Sequence, residues 1–238
     1  MAVILEVKNL RKYFPVERGI FRRARGYIKA IDGISFSVKK GAVLGIVGKS
    51  GSGKTTLAKL LLRLILPTSG EIIYNPDEIT NFRKDVQIIF QNPYQSLNPK
   101  MRIWDILVEP LIIHRASLIE IPKQQMNKTR DQRAIGLKGY FKDIVLEGLE
   151  SVGLNEEILT RFPIEFSGGQ RQRICLARSL ILRPKFLILD EPVSSLDLTR
   201  QVGILDLLKS LKSRFSLTYA FITHNLALLR EISDSVLI

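Results

Sequence analysis

The chain has 238 residues, long enough for one large α/β domain or two small ones, and its 45% hydrophobic content suits a globular protein with a core. No apolar run approaches the roughly 18 residues of a membrane helix, the opening Met1-Ala2-Val3-Ile4-Leu5-Glu6 lacks the basic region of a secretory signal, and the single cysteine excludes an intramolecular disulfide or a cysteine metal cluster. A net charge of +13 favours anionic partners, whether nucleic acid, lipid headgroups or an acidic protein face.

Val3, Leu5 and Val7 alternate with Ile4, Glu6 and Lys8, so the chain opens with a strand. A basic run follows (Arg18, Arg22, Arg23, Arg25, Lys29), read as a solvated loop. Ile34 to Val38 alternates again and stops at the turn signal Lys39-Lys40-Gly41. Val43-Leu44-Gly45-Ile46-Val47 is continuously apolar, the mark of a strand buried on both faces. It feeds into Gly48-Lys49-Ser50-Gly51-Ser52-Gly53-Lys54-Thr55, and the next helix carries Leu57, Leu60, Leu61, Leu64 and Ile65 before Pro67. Strand, glycine loop and helix in this order form the context of a phosphate-binding loop. The backbone N–H groups of Gly51 to Thr55 can line a concave nest for phosphates at the positive end of a helix, with Ser50, Ser52 and Thr56 in the same turn. Lys54 adds a compact cation and Thr55 a hydroxyl for Mg²⁺.

Val86 to Phe90 is predicted as another buried strand, ending at Gln91. Residues 92–161 change character: apolar residues at helical spacing (Ile103, Ile106, Leu107; Ile144, Leu149, Val152) flank a polar, basic stretch from Lys123 to Lys142. They read as a helical insertion with one irregular loop. The second basic stretch has no aromatics spaced for base stacking, which counts against nucleic acid. Glu165-Phe166-Ser167-Gly168-Gly169-Gln170-Arg171-Gln172-Arg173 opens a helix from about Gln170 to Leu182 that contains Cys175 and ends at Pro184. Phe186 to Leu189 is a buried strand running into Asp190 and Glu191. Two adjacent acids there suit either a Mg²⁺ ligand and a general base or a helix cap before Pro192. Leu217 to Thr223 is a further strand, ending at His224, and His114 has no comparable setting.

The Ser-Gly-Gly-Gln segment, lying between the phosphate loop and the acidic strand end, identifies the chain as resembling the nucleotide-binding subunits of ATP-binding cassette (ABC) machines. The motifs stand in family order over the whole chain. The resemblance implies an α/β fold: a RecA-like phosphate-loop core (1–91 and 162–238), an N-terminal antiparallel β portion and an inserted helical subdomain (92–161). It implies Asp190 and Thr55 as Mg²⁺ ligands, Glu191 as the catalytic glutamate, and Gln91 at Mg²⁺ and the attacking water. It implies His224 at the γ-phosphate supporting Glu191, and Tyr13 stacked on adenine. Ser167, Gly168, Gly169 and Gln170 would reach the partner subunit's ATP, and Ser194-Ser195-Leu196-Asp197 would cross the same interface. A head-to-tail dimer, with itself or a paralogue, follows from that arrangement.

Lys12-Tyr13-Phe14-Pro15-Val16, Lys29-Ala30-Ile31-Asp32-Gly33-Ile34-Ser35-Phe36, Gln91-Asn92-Pro93, Leu97-Asn98-Pro99-Lys100-Met101 and the Ser167 segment together resemble the ATPase subunits of oligopeptide, dipeptide and nickel importers. Membrane permease subunits, an extracytoplasmic solute-binding protein and a place on the cytoplasmic face of the membrane would follow, with residues from Asn92 to about Pro110 meeting the permease. A soluble-complex ATPase, such as the subunit associated with carbon–phosphorus lyase, shares the motifs. A nucleic-acid or ribosome-associated cassette fits the charge but usually carries two cassettes or a coiled-coil insertion. The 127–142 stretch is longer and more basic than expected, Asn225 stands where family members often have aspartate, and the sequence stops at Val236-Leu237-Ile238 inside a strand pattern. A truncated form and an unusual short member both fit that end.

Overall fold

The structure is a computed structural model that describes residues 2–18, 23–92, 96–118, 130–194 and 196–238. In chain order the elements are β1 (Val3–Arg18), β2 (Arg23–Lys39), β3 (Val43–Val47), α1 (Lys54–Leu61), β4 (Ser69–Tyr74), α2 (Phe82–Asp85), β5 (Val86–Ile89), α3 (Ile103–Leu118), α4 (Arg130–Ser151), α5 (Gly168–Leu180), β6 (Phe186–Asp190), α6 (Leu198–Phe215), β7 (Thr218–Thr223), α7 (Leu226–Ile232) and β8 (Ser235–Leu237). Two compact units emerge. One comprises 1–88, 185–192 and 212–238, and the other 89–184 and 193–211.

The first unit carries both sheets. β2, β1 and β4 form an antiparallel sheet, with β1 in the middle. The second sheet has the order β5-β6-β7-β3-β8, with β3, β6, β7 and β8 paired in parallel. Every residue of β3, β6 and β7 is buried, which explains why their sequences are continuous apolar runs. The register aligns Val47 with Thr223 and Asp190 with Ile222. The carboxyl ends of β3, β6 and β7 therefore lie side by side, where open α/β sheets hold their ligands.

Two expectations change here. The basic run after Glu17 is not a detached loop, because the strand pairing continues out to Arg18 opposite Arg23, making β1 and β2 one long hairpin. The helix after the phosphate loop stops at Leu61 instead of running to Ile65. Arg63 adopts a left-handed φ of 55°, and its N–H donates to the Leu60 carbonyl while Leu64 N–H donates to the Lys59 carbonyl. This is the Schellman closure that usually requires glycine. Arg63 holds it with a guanidinium 4.5 Å from the Phe82 ring centroid and 5.6 Å from that of Tyr74.

The second unit contains α3, α4, α5 and most of α6. Arg178 of α5 bonds Glu109 of α3 at 2.8 Å and the Ser96 carbonyl at 3.2 Å. Cys175 is buried in α5, and burial pushes its thiol up to about 12, far from a reactive thiolate. Among the described residues no helix is long and apolar enough to cross a membrane.

Candidate active site

The phosphate loop leaves β3 at Gly48 and becomes α1 at Lys54. Gly53 is the helix N-cap, with φ 94°, and a Cβ there would run into the Ala30 carbonyl. Only glycine serves both the left-handed turn and that close approach. Ser52 N–H donates to the Lys49 carbonyl at 3.1 Å and tightens the loop. A Cβ on Gly48 would overlap the Ser52 side chain. The Lys54 ammonium donates to the Gly48 carbonyl at 2.7 Å and the Lys49 carbonyl at 3.0 Å. An ammonium has three donors, so these bonds hold Lys54 over the loop and leave donor capacity for an anion. Ser50, Gly51 and Thr55 are exposed, while Thr56 is half-buried on the first turn of α1.

Asp190 closes β6 and is 3% exposed. The Thr55 hydroxyl donates to its carboxylate. Burial nevertheless pushes the Asp190 carboxyl up from its ordinary value, and the charge of Glu191 pushes the same way. A hydroxyl and a buried carboxylate are hard oxygen donors, the kind that suit a divalent cation such as Mg²⁺.

Glu191 has φ 50°, a left-handed conformation in a non-glycine residue, which stores on the order of 1–3 kcal/mol of strain. Its N–H donates to the Ile222 carbonyl at 2.9 Å, extending the β6–β7 ladder by one bond and fixing the kink. Its carboxylate meets His224 Nδ1 at 2.9 Å. An ionised carboxylate only accepts, so Nδ1 carries the hydrogen and Nε2 is left for another partner. Asn225 then caps α7, its side chain accepting from Ala227 N–H at 2.9 Å. Aspartate would make the same cap, so asparagine there is a mild departure.

Tyr13 lies opposite Lys29 on the β1–β2 hairpin. Its hydroxyl donates to Asp32, and the Lys29 ammonium stands 5.4 Å from its ring centroid. Tyr13, residues 48 and 50–56, Asp190, Glu191 and His224 thus all belong to the first unit.

Gln91, Ser167, Gly168, Gly169, Gln170 and Asp197 belong to the second unit. Gln91 is exposed and follows β5, which ends at Ile89, one residue before the predicted Phe90. Ser167 is the N-cap of α5. Its N–H donates to the Gln170 side chain at 3.0 Å, and Gln170 N–H donates back to the Ser167 hydroxyl at 3.4 Å. Buried Arg171 anchors the preceding turn, donating to the carbonyls of Pro163 at 2.7 Å and Ile164 at 2.9 Å. A Cβ on Gly168 would come no closer than 3.7 Å to Leu196, and one on Gly169 no closer than 3.7 Å to Arg200. Packing within the unit therefore does not demand glycine at either position. Asp197 accepts from Arg200 N–H at 3.0 Å ahead of α6. Ser195 and Pro93 lie outside the described residues.

Residues 31–194 match the ABC transporter family. The chain belongs to that family. It is 42% identical over 242 residues to the oligopeptide transport ATP-binding protein AppF of Bacillus subtilis (strain 168), covering 98% of this chain and 68% of that protein. It is 39% identical over 246 residues to the di/tripeptide transport ATP-binding protein DppF of Pseudomonas aeruginosa (strain UCBPP-PA14), covering 100% of this chain and 70% of that protein. The structure of the ATP-binding cassette MJ0796, a post-hydrolysis dimer bound to ADP and Pi, superposes with a TM-score of 0.72 at 25% identity, over 98% of this chain and 96% of that one. The cassette is an ATP-binding ATPase with the α/β phosphate-loop fold of its family. The sequence reading does not single out Asp32, whose carboxylate meets Tyr13 across the hairpin, because nothing in one strand shows what a side chain meets on the next.

Proposed function

We propose that the cassette is the ATP-hydrolysing subunit of a peptide importer, coupling ATP binding and hydrolysis in a head-to-tail dimer to a membrane permease. The observation that carries the chemistry is the meeting of Lys54, Thr55–Asp190 and Glu191–His224 at the adjoining ends of β3, β6 and β7. The peptide class rests on the relatives, which are named for oligopeptide and di/tripeptide transport.

In this reading the N–H groups of Gly51 to Thr55 bind the phosphates at the helix N-terminus, and Ser50, Ser52 and Thr56 line the same turn. Lys54 turns its ammonium to the β- and γ-phosphates. Thr55 and Asp190 would hold Mg²⁺, and the family resemblance adds Gln91 as a further ligand. One or two protein oxygen ligands with substrate phosphates are the usual set for that ion. Bound there, it would neutralise charge developing on the phosphates. Glu191 takes the proton of the attacking water, and His224, hydrogen-bonded through Nδ1, fixes the carboxylate's direction. Tyr13 stacks on the adenine.

Ser167, Gly168, Gly169 and Gln170 offer a hydroxyl, an amide and backbone N–H groups to ATP held by the partner subunit, itself or a paralogue. The lack of any packing need for glycine at 168 and 169 supports that role, since space is kept for something outside the unit. Asp197 belongs to the same interface. Residues 92–161 form the inserted helical subdomain, and those from Asn92 to about Pro110 meet the permease. The cassette then works peripherally at the cytoplasmic face of the membrane, beside an extracytoplasmic solute-binding protein.

Affinity purification of the natural protein from its own cells in mild detergent, with partners identified by mass spectrometry, tests the reading. A multi-span permease among the partners is the expected result. A soluble enzyme assembly or ribosomes, with no membrane protein, would leave the ATPase chemistry and remove the transport role.

A further inference from the structure

The β1–β2 hairpin is irregular where it passes the phosphate loop. Lys12 aligns with Ile31 and Tyr13 with Lys29, so Ala30 is left over as a bulge. Bulges bend a strand and redirect its groups, and they recur beside active sites. This one abuts the phosphate loop, because the Ala30 carbonyl is the group a Cβ on Gly53 would strike. The same offset brings Tyr13 within reach of Asp32, three residues beyond Lys29. The Tyr13 hydroxyl donates to Asp32 Oδ1, the Lys29 ammonium lies 3.2 Å from Oδ2, and Arg11 Nε lies 3.9 Å from Oδ1. The backbone of Tyr13 is fixed as well, its N–H donating to the Thr68 hydroxyl at 2.9 Å. Gly33, with φ 81°, turns the strand directly after Asp32.

We infer that Asp32 is a positioning residue for nucleotide-base recognition: it holds the Tyr13 phenol, and through Lys29 the cation beside the ring, at a set offset from the phosphate loop. The inference rests on the reading of Tyr13 as the adenine-stacking residue. A stacking ring on an exposed hairpin can rotate about its Cα–Cβ bond, and each rotamer it samples away from the base reduces the fraction of molecules ready to bind. A bond from the far end of the ring to a carboxylate on the neighbouring strand removes that freedom. Two features of titration agree with the geometry. The Asp32 bond holds the Tyr13 phenol above its ordinary range, and the Tyr13 and Lys29 bonds hold the Asp32 carboxyl below its own. The Asp32 carboxylate is engaged by Tyr13, Lys29 and Arg11 of its own hairpin, so its effect should fall on ligands that carry a base.

The test measures dissociation constants for MgATP and for inorganic tripolyphosphate by calorimetry, on the 238-residue chain and on Tyr13→Ala, Tyr13→Phe, Asp32→Ala and the Tyr13→Phe/Asp32→Ala double variant. Tripolyphosphate has the charge without the base, so it controls for folding and for the lost negative charge. Tyr13→Ala should weaken ATP relative to tripolyphosphate. Tyr13→Phe keeps the ring and loses the hydroxyl, and with Asp32→Ala it should weaken ATP by about three- to tenfold, as expected for a partly exposed hydrogen bond to a charged group. The double variant should be no weaker than either single one, because both remove the same bond. Additive losses, or an Asp32→Ala variant that keeps the parental ATP-to-tripolyphosphate ratio while Tyr13→Ala loses it, would overturn the role of Asp32 alone. A Tyr13→Ala variant with an unchanged ratio would overturn the adenine-stacking reading, and the inference with it.

Discussion

Replacing Asp190 with asparagine should make the nucleotide-free protein more stable while disabling its site. Asp190 is 3% exposed at the end of β6. Burial and the neighbouring Glu191 charge raise its carboxyl pKa, and the Thr55 hydroxyl with Lys54 and Lys59 opposes them without prevailing. A raised folded-state pKa means that the folded protein holds this proton more tightly than the unfolded chain does. Ionising Asp190 therefore costs stability: nothing below the unfolded pKa, increasingly as pH rises towards the folded one, and fully above it. Asparagine is neutral, similar in shape, and still accepts the Thr55 hydroxyl. Neutralising the side chain removes the desolvation penalty that raises its pKa while the hydrogen bond is kept, a gain on the order of 1 kcal/mol, or roughly 2–4 °C in Tm for a chain of this size. Thermal unfolding without nucleotide at pH 7.5 should show that rise, and the gap should narrow as pH falls into the carboxylate range. The stabilisation that MgATP gives the parent should shrink in the variant. A lower Tm for Asp190→Asn, or undiminished stabilisation by MgATP, would refute the reasoning.

Lys54→Ala removes the loop's cation and should weaken nucleotide binding by about 10–100-fold, the worth of a hydrogen bond to a charged group. Titration with a fluorescent ATP analogue measures it. Gly53→Ala forces a side chain into φ 94° and against the Ala30 carbonyl. It should cost at least about 1–2 kcal/mol for the left-handed conformation alone, read from urea unfolding midpoints. Gly168→Ala meets nothing nearer than 3.7 Å and sits at the start of α5. It should leave the unfolding midpoint at or slightly above the parent's while, on the proposed role of this segment at the partner's ATP, lowering turnover at least about tenfold.

The parts of the fold legible in sequence are those whose pattern is dictated by burial. β3, β6 and β7 are enclosed on both faces, so their residues are apolar without interruption, and each ends in the residues that form the site. The phosphate loop is legible because its glycines answer local backbone demands. β4 was not read as a strand: most of it is exposed on a sheet edge, so the apolar pair Ile72 and Ile73 lies in a segment with little core signal. The end of α1 was misplaced because Leu64 and Ile65 continue the helical spacing, while closure comes from a left-handed arginine that stacks on aromatic rings from other elements. The inner ends of the hairpin show apolar alternation, but its outer part, where Phe14, Tyr27 and Ile28 are exposed, carries none and reads as a loop. The bulge at Ala30 and the Tyr13–Asp32 bond arise from cross-strand register, which no single segment encodes.

The central claim is that Glu191 activates water at a site where ATP binds independently of that step. Steady-state ATPase rates and MgATP affinity, measured side by side for the parent and Glu191→Gln, test it most directly. The account predicts a loss of turnover of at least about 100-fold, the usual share of a general base, with MgATP affinity within about threefold of the parent and ATP-held dimers accumulating on size-exclusion chromatography. Turnover close to the parent's in Glu191→Gln would contradict it.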